Sequence, residues 1–117
     1  MTRLVLVVGL VAVALAAGAA LAAGNPTAGK KVFATNACGG CHTFKPARSK
    51  GTTGPALTKA RLTADAKRAK QPLAIFIRTS IVKPKAFVAR GYKPVMPGYA
   101  KLSKKQLDDL VAFIAKG

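Results

Sequence analysis

The sequence predicts an all-α domain at residues 24–117, built of three to five short helices and preceded by a hydrophobic N-terminal segment. Apolar residues recur at helical spacing in the second half of the chain, and residues that start or end helices flank these stretches. No stretch after residue 23 alternates apolar and polar residues as a half-buried strand does. A chain of 117 residues has room for one small domain, whose thin core needs a staple such as a metal centre.

Residues 1–23 have the pattern of an export segment. Arg3 supplies a positive charge, an uncharged apolar run follows at residues 4–23, and Ala20-Leu21-Ala22 matches a signal-peptidase site. The run is also long enough to span a bilayer as a helix. We therefore expect a cleaved signal peptide or an uncleaved membrane anchor, with the remaining domain in the periplasm or on the outer face of the cytoplasmic membrane.

Helix signals occur at four places in the remaining chain. The predicted helices span about residues 27–36, 62–70, 73–82 and 103–117. Asn25-Pro26 marks the start of the first helix, Pro72 that of the third, and a Ser103/Gln106 capping box that of the last. The charged stretch at residues 58–71 is expected to be mainly a solvated face. Residues 43–53 and 85–101, rich in Gly, Pro and basic side chains, are expected to be loops.

The charge is strongly one-sided, with 20 Lys and Arg against three acidic residues and a formal net charge of +17. Such a surface attracts anionic partners. The basic residues are spread along the chain, no nucleic-acid recognition motif occurs, and aromatic residues make up only 6% of the sequence. We therefore expect no nucleic-acid partner, and the charge instead favours acidic docking surfaces of redox proteins, with an anionic membrane surface as a further partner.

The chemistry is concentrated in residues 38–42, Cys-Gly-Gly-Cys-His, which contain both cysteines and the only histidine. The spacing C-x-x-C-H is typical of covalent haem attachment, in which Cys38 and Cys41 form thioethers and His42 binds the iron. A thioredoxin-like dithiol would need a surrounding βαβ pattern, and a structural zinc site would need a fourth ligand. The sequence offers neither, so it predicts one covalently bound haem c.

Met96 is the predicted second axial ligand of the iron. His42 is the only histidine, and Met1, the only other methionine, precedes the export segment. Met96 lies in the Pro/Gly-rich loop, where helix packing does not explain it. Lys93 as the ligand, or an open coordination position, are the alternatives. Because His42 and Met96 together saturate the iron, they favour one-electron transfer, and a thioether ligand raises the reduction potential.

These motifs make residues 25–117 resemble a class I monohaem cytochrome c of the small bacterial type. The resemblance rests on Gly29 and Phe33, the Cys38–His42 motif, Gly54-Pro55-Ala56-Leu57, Val95-Met96-Pro97 and the closing helix at residues 107–114. It implies the cytochrome c fold, in which short helices wrap around the haem. It further implies that the Pro55 carbonyl accepts a hydrogen bond from His42. It also implies that the first and last helices cross, with Gly29 and Phe33 against Leu110 and Phe113.

The predicted function is one-electron transport by a protein that is not an enzyme. The expected donor is a quinol-oxidising complex or a dehydrogenase, and the expected acceptor is a terminal oxidase or similar respiratory protein. A haem gas sensor or a small haem peroxidase, each with a displaceable Met96, is the alternative. A basic protein without haem that binds lipid or nucleic acid is a third hypothesis.

Overall fold

The computed structural model describes Gly9 and residues 24–117. The predicted export segment, apart from Gly9, lies outside the described residues. None of the helices in the described part of the chain is both long and apolar enough to cross a membrane. Within residues 24–117, four α-helices and a minimal antiparallel hairpin follow one another. They are α1 (Pro26–Thr35), β1 (Thr43–Phe44), β2 (Ser49–Lys50), α2 (Lys59–Arg68), α3 (Leu73–Val82) and α4 (Lys104–Lys116).

The start signals of α1 and α4 act as predicted. The Asn25 side chain accepts a hydrogen bond from the Ala28 N–H at 3.0 Å, and Pro26 occupies the first turn. At α4, the Ser103 hydroxyl accepts from the Gln106 N–H and the Gln106 side chain accepts from the Ser103 N–H, which completes the capping box. Each cap satisfies backbone N–H groups that have no partner within the helix.

Helices α1 and α4 cross at Gly29. A Cβ atom at this position would overlap the Asp109 carbonyl, so only glycine lets the two backbones approach this closely. Phe33, one turn later, packs edge-on against Phe113 with ring centroids 5.7 Å apart. Phe44 from β1 completes this group, 5.6 Å from Phe33 and 5.1 Å from Phe113. The three rings fix the hairpin and both helices around one core.

Helix α2 differs from its prediction. It begins at Lys59, where the Thr58 hydroxyl accepts from the Arg61 N–H at 3.2 Å, and it ends at Arg68. Six of its ten residues are exposed, which agrees with the expected solvated face, but Leu62, Asp65 and Ala66 on the opposite side are buried. The sequence signal was weak because only one of the buried residues is a large apolar one.

The hairpin lies within residues 43–53, where a loop was expected. Its strands have two residues each, too few to show an alternating pattern in the sequence. Ser49 holds it together, because its hydroxyl donates to the His42 carbonyl at 2.8 Å and accepts from the Phe44 N–H at 3.0 Å. The hairpin thus depends on side-chain hydrogen bonds next to His42.

Helix α3 matches its predicted bounds, and its buried residues Phe76, Ile77 and Ile81 share one face. Together with Leu110 and Ile114 of α4, they line one wall of a cleft. Residues 83–103 then return to α4 as a loop that includes one short turn of 3-10 helix, Pro84–Ala86. This loop closes the opposite wall of the cleft.

Candidate functional site

The cleft brings together the residues that the sequence singled out. Cys38, Cys41, His42, Pro55 and Met96 all line it. It has about 1290 Å³ of space free of protein atoms, counting the solvent at its open side. Most of its wall is apolar, formed by α3, α4 and the loop after α3. Such a wall suits a large, flat, largely apolar group.

The two cysteines lie on a tight turn. Ala37 has a left-handed backbone conformation with φ of 53°, and Cys38–Gly40 form one turn of 3-10 helix. The N–H groups of Cys41 and His42 both donate to the Cys38 carbonyl, at 3.3 and 3.1 Å. Cys38 is half-buried and Cys41 is exposed, and the two thiols are not bonded to each other. Burial raises the pKa of the Cys38 thiol above its ordinary value.

The imidazole of His42 is oriented by the segment that follows the hairpin. Its Nδ1 atom lies 2.7 Å from the Pro55 carbonyl oxygen. Because a carbonyl can only accept, Nδ1 carries the proton and Nε2 keeps its lone pair. Gly54 makes room for the ring, since a Cβ at this position would lie 2.6 Å from His42 Cε1. His42 is therefore prepared to bind a metal through Nε2.

Met96 lies in the loop after α3, half-buried between the exposed residues Val95 and Pro97. Tyr99 holds the end of this segment, because its N–H donates to the Ile81 carbonyl at 3.0 Å and its hydroxyl donates to the Asn36 carbonyl at 3.3 Å. Burial raises the pKa of the Tyr99 phenol above its ordinary value. The backbone thus carries Met96 into the cleft wall without placing it on a helix.

Arg61 adds to the cleft wall a buried N–H group, that of Nε, which has no hydrogen-bond partner among the described residues. Its guanidinium lies over the Tyr92 ring, 5.1 Å from the centroid. The nearest carboxylate oxygen, Oδ2 of Asp65, is 3.7 Å from Nε, which is too long for a hydrogen bond. A buried N–H without an acceptor is costly, so this position is suited to an anionic group of a bound molecule.

The other uses of two thiols find no support in the structure. The described part of the chain contains only the two-residue strands of the hairpin, whereas a thioredoxin-like dithiol is embedded in βαβ units. Across residues 24–117, no group of three or more His, Cys, Asp or Glu side chains is arranged to hold a metal ion. These observations leave haem attachment as the chemistry that fits the motif.

A comparison with protein families decides the assignment. The family profile described as cytochrome c matches residues 26–117, which is most of the chain. The chain belongs to the cytochrome c family. The protein is therefore a haem-binding electron-transfer protein with a covalently attached c-type haem, one per chain in the monohaem class. Members of this family are typically electron carriers rather than enzymes, and their domains typically lie outside the cytoplasm. A search of curated proteins found no match.

The cytochrome c cleft fits this group residue by residue. Cys38 and Cys41 would form the two thioether bonds, and His42 presents an unprotonated Nε2 to a metal. The apolar walls would cover the porphyrin faces, and the orphaned Nε of Arg61 offers a donor to a haem carboxylate. Among residues 24–117, the only other side-chain sulfur that lines the cleft is the thioether of Met96.

Three residues near the haem cleft escaped the sequence analysis as site residues. Ser49 and Gly54 act on His42 through its carbonyl and its ring, and the only sequence signal was that Gly54 precedes Pro55. Arg61 is one of many basic residues in a charged stretch, and nothing in the sequence separates it from its neighbours. The position of Arg61 depends on its contact with Tyr92, which belongs to a loop distant in the sequence.

Proposed function

We propose that His42 and Met96 are the two axial ligands of the haem iron and that the protein shuttles single electrons between respiratory-type redox proteins outside the cytoplasm. The observation that supports this most is the shared cleft, which is lined by His42 from the turn after α1 and by Met96 from the loop after α3. The Nδ1 contact to Pro55 leaves Nε2 of His42 as the metal ligand.

In this function, the polypeptide holds the axial ligands in place and keeps water away from the haem. Bound haem supplies a one-electron Fe(III)/Fe(II) couple. The soft thioether of Met96 favours Fe(II) and so raises the potential. The positive net charge also raises the reduction potential, although solvent and salt screen this effect. Arg3 is the only charged residue before Lys30, so removing it from the formal +17 leaves +16 on the cytochrome c domain.

The ligand assignment is tested by Met96→Ala in the haem-loaded protein. We expect the variant to lose the weak far-red absorption of Met–iron ligation and to have a lower potential, because Fe(II) loses its soft ligand. Val95→Ala is the matched control, since Val95 is the exposed neighbour (59% exposed) and should leave both properties unchanged. An unchanged spectrum and potential in Met96→Ala would show that another group binds the iron.

The Met96 side of the cleft is the surface that we propose for docking. The exposed apolar residues Val95 and Val88 lie there, and Pro94 and Pro97 flank Met96. Lys83, Lys85 and Lys93 are exposed in the same loop. An apolar centre with a basic rim fits a partner that carries an acidic rim. The proposed partners are a quinol-oxidising complex or dehydrogenase as donor and a terminal oxidase or similar protein as acceptor.

The proposed location is the periplasm or the outer face of the membrane, reached by export through residues 1–23. Intact mass of the purified protein tests two points in one measurement. A mass that includes one haem and lacks the N-terminal segment indicates cleavage, and a mass that includes both indicates a retained anchor. An anionic membrane surface would hold the basic domain by charge in either case.

A further inference from the structure

The segment that carries Met96 is suspended between two anchored tyrosines. Residues 93–98 are exposed except for Met96, which is half-buried. Tyr99 anchors one end through its hydrogen bonds to α3 and α1. Tyr92 anchors the other end, where its N–H donates to the Ala89 carbonyl at 3.1 Å and its ring lies under Arg61. How firmly Met96 is held therefore depends on both ends.

The Tyr92 end is held by two arginines of α2. The guanidinium of Arg61 stacks on Tyr92 at 5.1 Å, and that of Arg68 stacks on Phe87 at 5.4 Å. Phe87 is also fixed from the other side, because it packs edge-on against Phe76 of α3 with centroids 5.2 Å apart. Two cation–π contacts thus join α2 to the loop segment at residues 87–92.

Asp65 braces both arginines from within α2. Its Oδ1 accepts from Arg68 at 3.0 Å, and its Oδ2 lies 3.7 Å from Arg61 Nε. Asp65 is buried, with only 7% of its surface exposed, and a buried carboxylate is costly unless cations surround it. The spacing at i, i+4 and i+3 puts these three residues on the loop-facing side of α2. We name Arg61, Asp65 and Arg68 the α2 clamp.

We propose that the α2 clamp controls how readily Met96 leaves the iron, with Asp65 and Arg68 acting as positioning residues. This inference rests on the proposed ligation of the iron by Met96. The clamp restricts residues 87–92, and so it restricts the segment that follows them. When it is broken, the loop gains conformations in which Met96 is withdrawn, and the population of that state rises.

The test is imidazole binding to the ferric, haem-loaded protein, followed by absorption. Imidazole binds only where Met96 has left, so its apparent affinity reports the withdrawn population. Arg68 itself does not line the cleft, so Arg68→Ala removes one cation–π contact and the Asp65 hydrogen bond while every cleft-lining residue is kept. We expect the apparent affinity to rise about 3- to 10-fold, the range expected from losing one such contact.

Arg78→Ala is the matched control. Arg78 is also an arginine paired with an aspartate, Asp108, and its side chain is 35% exposed against 37% for Arg68. It joins α3 to α4 and has no contact with the Met96 loop among the interactions of the described residues. We expect a loss of global stability similar to that of Arg68→Ala, with imidazole affinity unchanged.

Two further variants separate a positioning role from general softening. Arg68→Lys keeps a cation that can face both Asp65 and Phe87, so it should restore part of the wild-type affinity. Both Arg68→Ala and Phe87→Leu break the same contact. The free-energy change in imidazole binding of the double variant should therefore be smaller than the sum of the changes in the two single variants.

Several outcomes would overturn the clamp. One is an equal rise in imidazole affinity in Arg68→Ala and Arg78→Ala, and another is no rise in Arg68→Ala. Full additivity of Arg68→Ala and Phe87→Leu would also count against it. If Met96→Ala leaves the spectrum unchanged, the ligand assignment fails and the clamp fails with it. If Met96→Ala changes the spectrum but Arg68→Ala behaves as wild type, only the clamp fails.

Discussion

The imidazole of His42 is fixed by contacts that come from one short stretch of chain. The contact to the Pro55 carbonyl places the ring proton on Nδ1, and the backbone at Gly54 lies against the ring. Ser49 holds the carbonyl of the same residue. A single side chain thus has its tautomer, its orientation and its backbone position determined by three different residues, which is how a metal ligand is prepared before the metal binds.

Gly54→Ala is expected to disturb this arrangement. The added methyl group would lie 2.6 Å from Cε1 and 2.9 Å from Nδ1 of His42, so the ring or the backbone must move. We expect a loss of about 1–3 kcal/mol in the free energy of unfolding, the usual cost of forcing a methyl group into a packed site. Denaturant unfolding of the haem-loaded protein measures this loss, and the absorption spectrum reports any weakening of the proposed bond between His42 and the iron.

Gly40→Ala is the control for this prediction. It adds the same methyl group within the haem-attachment motif, but the new Cβ has no protein atom within 4 Å. Its stability should stay close to that of the wild type. Equal effects of the two substitutions would contradict the role assigned to Gly54.

The charge of Arg61 should be visible in the potential. Arg61→Gln removes a half-buried cation from the cleft wall, so Fe(III) is stabilised relative to Fe(II). We expect the potential to fall by roughly tens of millivolts, as Coulomb interaction across a partly screened interior predicts. Arg90→Gln removes the same charge from an exposed position that does not line the cleft, and it should change the potential less. Equal shifts would mean that only the net charge matters.

At the scale of elements, α2 ends in a Schellman motif built on a residue that is not glycine. The Gln71 N–H donates to the Ala66 carbonyl and the Lys70 N–H donates to the Lys67 carbonyl, both at 3.0 Å. Lys70 has a left-handed conformation with φ of 55°, where a Cβ is unfavourable. Glycine is the residue that normally occupies this position.

Lys70→Gly is therefore expected to stabilise the protein by roughly 0.5 kcal/mol, because relief of the left-handed strain exceeds the added freedom of the unfolded chain. Lys67→Gly removes the same charge from the exposed side of the helix and should destabilise by about 1 kcal/mol. Thermal or denaturant unfolding of both variants gives the comparison. Destabilisation by Lys70→Gly would show that the conformation at this position carries no strain.

The elements differ in how well the sequence foretold them. Helix α3 was predicted at its observed bounds because its apolar residues repeat at helical spacing between Pro72 and Pro84. Helix α2 was predicted to begin three residues late and to end two residues late, and its buried side was not foreseen, since Asp65 and Ala66 carry no apolar periodicity. Its burial comes from ion pairs and from arginines stacked on a distant loop, and such contacts leave no periodic signal in the local sequence.

The site shows the same division. The sequence predicted haem attachment at Cys38–His42 because covalent attachment needs those residues at that spacing. The proximity of His42 to Pro55 came from family resemblance, since thirteen positions separate the two and no local rule pairs them. Arg61 could not be predicted as a site residue, because its place in the cleft wall depends on contact with Tyr92, far along the chain.

At the scale of the whole molecule, the start of the domain is fastened to its end. The Asp109 carboxylate of α4 accepts from the Asn25 N–H at 2.8 Å, just before α1. Lys105 donates to the other oxygen at 2.8 Å. The Asn25 hydrogen bond, with help from Lys105, holds the pKa of Asp109 below its usual range.

This pairing predicts a specific acid dependence of stability. Because the folded-state pKa of Asp109 is lowered, its ionised form stabilises the fold above the ordinary carboxyl pKa of about 4, and that contribution is lost as pH falls through the folded-state pKa. Asp109→Asn should be less stable than the wild type at pH 7, and its stability should fall less steeply on acidification. Unfolding free energies from neutral to strongly acidic pH measure this. A difference between the two proteins that persists undiminished in strong acid would contradict the assignment.

The most direct measurement of the proposed electron-carrier role is carbon monoxide binding to the reduced, haem-loaded protein. Fe(II) holds the soft thioether of Met96 more firmly than the Fe(III) of the imidazole test does. If His42 and Met96 saturate the iron, the reduced wild type should therefore not bind carbon monoxide readily, and its spectrum should stay unchanged on brief exposure to the gas. Met96→Ala should bind carbon monoxide, because the substitution frees one coordination position. Ready binding by the wild type would contradict the closed iron site and favour a gas sensor or peroxidase with a displaceable ligand.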